Sequence, residues 1–296
     1  VPPDMRKGPL PGRGQHRAAL AAGLPGSAAA SAATAPGSAA GTPSGSAPAT
    51  AGGQAVTTTA ALASLERQTA QARLADLGAA SPQLARLLAS VSAAGVLHAA
   101  ALGDTAPVTV PAPAPADPAG TPSASAPGTA SGTPSGAADG AAVAPEAVTA
   151  FQAALSAEHA AIYGYGVVGA RLPDDPQRAD ARTAYAAHQT RRDAWQRLLG
   201  GVGATPSAAA AGYQLPFAVT DAAGAGRLAA HIETRLTAVY ADLVAAVTGP
   251  QRGTAADALR ECALRARRWG ATATPFPGLP DPVAAATGSP GAAPTG

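Results

Sequence analysis

The sequence predicts an all-α protein in which an up-and-down four-helix bundle follows a helical hairpin. Three observations favour this fold class. In residues 57–103 and 145–270, large apolar side chains recur at steps of three and four, which places them on one face of a helix. Ser, Thr, Asp and Pro stand where these segments begin, and Gly or Pro where they end. The connections in the second region are short, which favours antiparallel neighbours.

The other segments have a composition that does not support a core. Residues 1–56 and 104–144 consist mostly of Ala, Ser, Pro, Gly and Thr, and residues 271–296 form a Pro-rich tail. The chain of 296 residues contains 34 Gly and 29 Pro, and only 3% of it is aromatic. Segments with so little large apolar surface cannot offset the entropy lost on ordering. We therefore expect residues 1–56 and the linker 104–144 to be disordered.

The hairpin of residues 57–103 has its own start signals. Thr57 to Thr59 can cap the first helix, and Ser81 with Pro82 opens the second, Ser as the N-cap and Pro in the first turn. The start of each of the four later helices is also predicted. The signals, in chain order, are Pro145, Asp174-Asp175-Pro176, Thr220-Asp221, and a capping box of Thr254 with Asp257. The third of these four is predicted to stop at Gly249-Pro250.

Charge and cysteine content exclude several classes of function. The formal charge is +2 and the Arg residues are scattered among acids, so no basic face predicts nucleic-acid binding. Cys262 is the only cysteine, which excludes an intrachain disulfide, a cysteine-based zinc site or an iron–sulfur cluster. No run reaches the roughly 20 apolar residues that a membrane span needs. A short Ala-rich stretch after Arg17 weakly resembles an export signal, so the location is cytoplasmic by default, with an exported or envelope-associated protein as the alternative.

A polar cluster is expected on the buried side of the first two bundle helices. Glu158 falls on the apolar stripe of the first helix, and an antiparallel neighbour brings it level with about His188. Arg192 lies one turn beyond His188, and Tyr165 or Tyr185 is expected nearby. One interpretation is a satisfied buried network that fixes the helix register. The other is a metal or proton-transfer site, because bundles build metal centres from Glu and His on facing helices.

Several motifs of residues 145–281 together resemble a known family. They are SAEHAAIYGYGVVGARL, AYAAHQTRRDAW, GYQLPFAVTDAAGAGRLAAHIE and PFPGLPD. This block is similar to the ferritin-like domain of unknown function found in actinobacterial proteins. The resemblance implies a ferritin-like four-helix bundle and a family without an assigned activity.

The chain departs from the metal-binding pattern of ferritin-like enzymes, which carry a Glu on two helices and Glu-x-x-His on the other two. No Glu-x-x-His occurs in the block, and Glu158 is followed directly by His159. Two further glutamates, Glu233 and Glu261, fall beside the apolar stripes of their helices. We expect a solvent-exposed charged edge of the third bundle helix at His231, Glu233 and Arg235.

The sequence therefore favours a non-catalytic binding or structural module without a cofactor, built around Glu158, His188, Arg192, Tyr165 and Tyr185. The first alternative is a redox protein that binds iron or manganese at Glu158 and His188. The second is an envelope-associated interaction protein. A homo-oligomer is compatible with each, and no catalytic set of residues is present in the sequence.

Overall fold

The computed structural model describes residues 58–106, 143–173 and 176–280. All regular elements within these ranges are α-helices. In chain order they are α1 Thr59–Ala75, α2 Pro82–Ala101, α3 Pro145–Arg171, α4 Gln177–Gly201, α5 Ala222–Ala246 and α6 Gly249–Arg268. The predicted all-α helical bundle is confirmed. The disorder predicted for residues 1–56 and for most of the 104–144 linker lies outside the described residues.

α3 and α4 form one antiparallel hairpin, and α5 and α6 form another. Near the start of α3, Phe151 packs on Trp195 near the end of α4, with ring centroids 5.4 Å apart. Further along α3, Tyr165 packs on His188, with centroids 5.2 Å apart. Only two residues, Val247 and Thr248, join α5 to α6, so these helices also turn back on each other.

The two hairpins pack with α3 antiparallel to α5. Tyr165 bonds to Glu233, whereas Glu158, two turns earlier on α3, bonds to Tyr240, two turns later on α5. Because α3 is antiparallel to both α4 and α5, the latter two run in the same direction.

The connection between α4 and α5, residues 202–221, spans the bundle from end to end. Near its start the Thr205 carbonyl accepts a hydrogen bond from Gln152 Nε2 at 2.7 Å, and near its end Val219 packs in the apolar cluster that contains Leu172. The helix order is thus up, down, down, up. It differs from the up-and-down order expected from the sequence, because this segment is long enough to run the full length of a helix, about 38 Å, back to the other end of the bundle.

α6 begins earlier than its sequence signals suggest. Thr254 and Asp257 lie inside the helix, which starts at Gly249 with Pro250 in the first turn. Gly249 has a φ of 61°, a conformation that glycine adopts without strain. Pro250 therefore starts α6 and lies beyond the end of α5, since the first turn of a helix needs no amide donor at that position. Asp257 pairs with Arg260 at 2.8 Å.

The α1–α2 hairpin docks on the bundle through α2, which contacts α5 and α6. Arg252 of α6 is only 3% exposed, and its guanidinium donates to the carbonyls of Leu77 at 2.7 Å, Ala80 at 2.8 Å and Val247 at 2.7 Å. Leu77 and Ala80 belong to the turn between α1 and α2, whose carbonyls lack helical partners. One buried cation therefore ties the hairpin turn to the end of α5.

α2 is long and apolar enough to cross a membrane by length and composition, which the sequence analysis did not expect of any segment. In the protein, 72% of its apolar window is buried. Ser92 in its middle donates to the Ala70 carbonyl of α1 at 2.7 Å, and Ser90 donates to the Pro277 carbonyl at 2.9 Å. α2 packs as a core helix of the described fold.

The first ten residues of the Pro-rich tail, 271–280, also pack on the bundle. Phe276 is 6% exposed. Gly278 has a φ of +82°, and a β-carbon there would lie 2.4 Å from the carbonyl oxygen of Thr237 on α5. Only glycine permits this close approach of the tail to the helix.

The core contains many alanines and few aromatic side chains. Trp195, which is 2% exposed, is the largest of these, and its Nε1 donates to the Tyr240 hydroxyl at 3.3 Å. Its ring also lies against Phe151 and Tyr240, so it joins α3, α4 and α5.

Replacing Trp195 with alanine should destabilise the protein by about 3 to 5 kcal/mol, because small alanine side chains nearby cannot refill the space. The free energy of unfolding is measured by urea titration. Arg197→Ala, two residues away on the exposed side of α4, is the control and should change stability by less than about 0.5 kcal/mol. A loss below about 1 kcal/mol for Trp195→Ala would contradict its place in the core.

Candidate functional site

The centre of the bundle holds a buried imidazole between two carboxylates. Nδ1 of His188 on α4 lies 2.7 Å from Oε2 of Glu158 on α3, and its Nε2 lies 3.2 Å from Oε1 of Glu233 on α5. All three side chains are completely buried. A polar cluster without water survives in a core only when each member is bonded. His188 thereby connects three helices.

The geometry makes His188 an imidazolium. A neutral imidazole has one N–H and one bare nitrogen, but here both nitrogens face ionised carboxylate oxygens and both must donate. Burial alone would lower the pKa of His188, but the charges and hydrogen bonds of Glu158 and Glu233 outweigh burial and raise it. Burial likewise favours a higher pKa for Glu158 and Glu233, but their contacts with His188 and with nearby arginines keep both pKa values low.

Two arginines and a third carboxylate close this cluster into a ring. Nη2 of Arg191 lies 2.5 Å from Oε2 of Glu261 on α6, and Nη2 of Arg265 lies 2.7 Å from the same oxygen. Nη1 of Arg191 is 3.5 Å from Glu158, and Nη1 of Arg265 is 3.9 Å from Glu233. These last two contacts are ion pairs and are too long or poorly aligned for hydrogen bonds. The order around the ring is Glu158, Arg191, Glu261, Arg265, Glu233 and His188.

The charges of this ring sum to zero when His188 is protonated. Three carboxylates contribute three negative charges, and two guanidiniums and the imidazolium contribute three positive charges. A neutral imidazole would leave one net negative charge in a site that is shielded from water, which is costly. The ring is therefore self-compensating, and its parts come from all four bundle helices.

Two tyrosines complete the site through reciprocal bonds. The Tyr165 hydroxyl of α3 donates to Oε1 of Glu233 on α5 at 2.7 Å, and the Tyr240 hydroxyl of α5 donates to Oε1 of Glu158 on α3. Each tyrosine follows the glutamate of its own helix by seven residues, or two helical turns. Burial and the neighbouring carboxylate raise the pKa of both hydroxyls, so both tyrosines remain neutral donors.

The correspondence between the α3–α4 hairpin and the α5–α6 hairpin extends from α3 and α5 to α4 and α6. In α4, His188 precedes Arg191 by three residues, and in α6, Cys262 precedes Arg265 by three residues. Arg191 pairs with Glu158 of its own hairpin, and Arg265 pairs with Glu233 of its own hairpin. The two hairpins therefore present similar polar sets. The relation fails at two positions, where His188 corresponds to Cys262 and Ala187 to Glu261. The Cys262 thiol is fully buried, and burial raises its pKa well above the usual range.

The structure brings together three of the residues expected from the sequence, Glu158, His188 and Tyr165. Arg192 lies outside the ring and pairs instead with Asp193, with 2.7 Å between Nη2 and Oδ1. The preceding residue, Arg191, takes the expected role, because one residue turns a helix face by about 100°. Tyr185 is partly buried against the apolar cluster around Leu172, and it makes no hydrogen bond to a ring residue in the described part of the chain.

Glu233 is the main residue that the sequence analysis misplaced. It was expected on a solvated edge of its helix, but it is completely buried. α5 packs against α3, α6 and α2, so its buried surface is wider than the single apolar stripe that marks an amphipathic helix. The available signal was the repeated spacing of Glu and Tyr, seven residues apart in α3 and again in α5.

The residues of the ring do not fit a divalent cation. Both nitrogens of His188 point at carboxylates, and as an imidazolium it has no lone pair for a metal. Arg191 and Arg265 bring two fixed positive charges to the same carboxylates. Within the described part of the chain, no three His, Cys, Asp or Glu side chains are grouped so that they could hold one ion.

Comparison with known proteins places this site in a domain without an assigned activity. Residues 150–281 match the family model of the domain of unknown function DUF4439. A conserved hypothetical protein from Mycobacterium tuberculosis, rv2844, has a crystal structure and is 40% identical, with 42% of this chain and 94% of that chain covered and a TM-score of 0.41. Among curated proteins, none matches this chain.

Substitutions at Glu158 separate the charge of the carboxylate from its shape. Glu158→Ala removes the partner of His188, Arg191 and Tyr240, and should cost about 3 to 5 kcal/mol, because it leaves buried charge unpaired. Glu158→Gln should cost clearly less, because the amide can still accept a hydrogen bond from His188 or Tyr240.

The free energy of unfolding is obtained from urea titrations of both variants. Glu146→Ala is the control: Glu146 is exposed in the first turn of α3, and its loss should cost less than about 1 kcal/mol. Equal losses for Glu158→Ala and Glu146→Ala would show that the ring contributes nothing to stability.

Proposed function

We propose that this chain, which carries a DUF4439 domain at residues 150–281, is a non-catalytic helical module with ferritin-like topology that acts in binding or as a structural unit. The observation that carries the proposal is the closed, charge-compensated ring of Glu158, Arg191, Glu261, Arg265, Glu233 and His188. In this proposal, the ring takes the place of a metal centre and fixes the register of four helices.

The helix order supports the ferritin-like assignment. Ferritin-like bundles contain one long crossover between two helical hairpins. Here residues 202–221 cross the bundle between the α3–α4 hairpin and the α5–α6 hairpin, and α4 and α5 run in the same direction.

The positions of the ring residues support the assignment more closely. Ferritin-like metal proteins take one Glu from each of two helices and a Glu-x-x-His pair from each of the other two. Glu158 of α3 and Glu233 of α5 stand where the single glutamates are expected. On the other two helices the paired positions read His188-x-x-Arg191 and Cys262-x-x-Arg265, with the same spacing of three.

These replacements change the chemistry of the position. Arginine stays protonated at all ordinary pH values and offers only donors, so it cannot ligate a metal where histidine would. The guanidinium of each arginine supplies beside its glutamate the positive charge that a metal ion supplies elsewhere. We infer that the bundle keeps the polar layout of a metal protein and uses it for stability and helix register.

A second candidate is a metal-binding redox protein of the same superfamily. The observation in its favour is the meeting of Glu158, His188 and Glu233 from three helices at one buried point. Iron or manganese binding would require Arg191 and Arg265 to move away from these carboxylates. Metal analysis distinguishes the two candidates directly.

The test is the metal content of tag-free, full-length protein after incubation with Fe(II) or Mn(II) and removal of unbound ions. We expect less than one ion in ten molecules, and no difference among wild type, Glu158→Ala and His188→Ala. About one or two tightly bound ions per wild-type chain, lost in both variants, would overturn the proposal and establish the redox candidate.

A gain-of-function variant serves as the positive control. The combined substitutions H188E, R191H, C262E and R265H give α4 and α6 a Glu-x-x-His pair each, next to the unchanged Glu158 and Glu233. If the ring occupies the ferritin-type metal position, this variant should bind about two ions per chain in the same assay. Metal binding by this variant would show that the assay detects a site in this bundle, so that a lack of metal in the wild-type protein reflects its ring residues.

A further inference from the structure

A cavity of about 580 Å³ lies between α3, α5 and the crossover segment, on a different side of these helices from the ring. Its size falls in the range of protein sites for small molecules. The ring residues do not line it, although Ala157 and Ile232 in its wall directly precede Glu158 and Glu233.

Small residues of α3 create the space. Ala157, Ala160, Ala161 and Gly164 recur at helical spacing on the face that looks into the cavity. At one end of this face, Gly164 allows α3 and α5 to approach closely. A β-carbon at this position would lie only 2.5 Å from Cδ1 of Ile232. Larger apolar residues of α5 form the opposite wall: Leu228, Ile232, Leu236 and Val239.

The outer wall is a fixed part of the crossover. Upstream, Ser207 donates from its backbone amide to Oε1 of Gln152 at 2.9 Å, and its carbonyl lies 3.2 Å from Nε2 of His159. The Tyr213 hydroxyl accepts from the Ala210 amide at 3.1 Å. The Ser207 contacts hold the segment against α3, and the Tyr213 contact fixes its local conformation, so the cavity has a defined shape.

Two aromatic rings stand at one edge of the cavity. Tyr163 of α3 and Tyr213 of the crossover lie with ring centroids 5.5 Å apart, and both line the cavity. Tyr163 is 40% exposed, which is unusual for a large side chain in this aromatic-poor protein. Exposed tyrosines at the mouth of an apolar cavity are suited to contact a ligand with an apolar body.

One charged side chain, that of Arg235, lines the cavity. Arg235 lines it, together with His231 and Gln214, and no Asp or Glu is among its lining residues in the described chain. Arg235 is exposed and forms no ion pair or side-chain hydrogen bond with any described residue. A free guanidinium beside an apolar cavity complements a carboxylate, which it can bind through two parallel hydrogen bonds.

We propose that this cavity binds a small amphipathic monocarboxylate, with its apolar chain against α3 and α5 and its carboxylate on Arg235. The apolar walls provide the burial, and Arg235 provides orientation and preference for an anion. This inference goes beyond the proposed function, because it concerns a different site and does not depend on whether the ring binds metal.

The test is titration of full-length protein with decanoate, and with decanamide as its uncharged match, followed by calorimetry and by backbone amide NMR shifts. We expect saturable binding of decanoate with shifts concentrated in residues 157–164, 213–216 and 228–239, and binding of decanamide weaker by about tenfold or more. Absence of saturable decanoate binding up to about 1 mM, or equal affinity for decanamide, would overturn the proposal.

Variants separate the apolar body of the ligand from its charge. Arg235→Gln should weaken decanoate binding by about tenfold or more and leave decanamide unchanged, whereas Arg197→Gln, an exposed arginine on α4, should change neither. Ala160→Phe should fill the cavity and abolish binding of both molecules.

The unfolding transition of each variant shows that it remains folded. If Ala160→Phe fails to fold, Val239→Phe repeats the same test from the opposite wall of the cavity. Unchanged decanoate affinity in both Arg235→Gln and a folded cavity-filling variant would contradict the assigned site.

Discussion

The structure depends on one buried imidazolium, that of His188, held between Glu158 and Glu233. These three side chains come from three helices, and none of them touches water. Separating any helix from this point would leave a buried charge without its partner, which costs far more than the loss of an apolar contact. The core is made largely of alanine and has few side chains of distinctive shape, and we propose that this polar cluster specifies how the helices align.

The rest of the ring follows from the need to balance charge. Three carboxylates near one imidazolium require two further cations, and Arg191 and Arg265 supply them at matching positions in the two hairpins.

The pH dependence of stability has opposite signs for the imidazole and for the carboxylates. The raised pKa of His188 contributes stability that is lost only as pH rises through its folded value, whereas the lowered pKa values of Glu158 and Glu233 contribute stability that is lost as pH falls.

The sequence predicted the parts of this arrangement that depend on local pattern. Glu158 and His188 lie on the stripes of two helices joined by a short turn, so their register could be counted from the turn. Arg191 was missed because a difference of one residue changes the helix face, and Glu233 because α5 is buried on several sides. The direction of α5 depends on the path of residues 202–221, which have no helical periodicity to interpret.

The protonation state of His188 decides whether the buried ring is charge-compensated. The ¹⁵N chemical shifts of its ring nitrogens, assigned by comparison with His188→Gln, report whether one or both carry a proton. We expect an imidazolium with both nitrogens protonated at pH 7, and the same state well above the ordinary histidine pKa of about 6.5. A neutral ring at pH 7, with one protonated and one bare nitrogen, would contradict the charge-compensated ring.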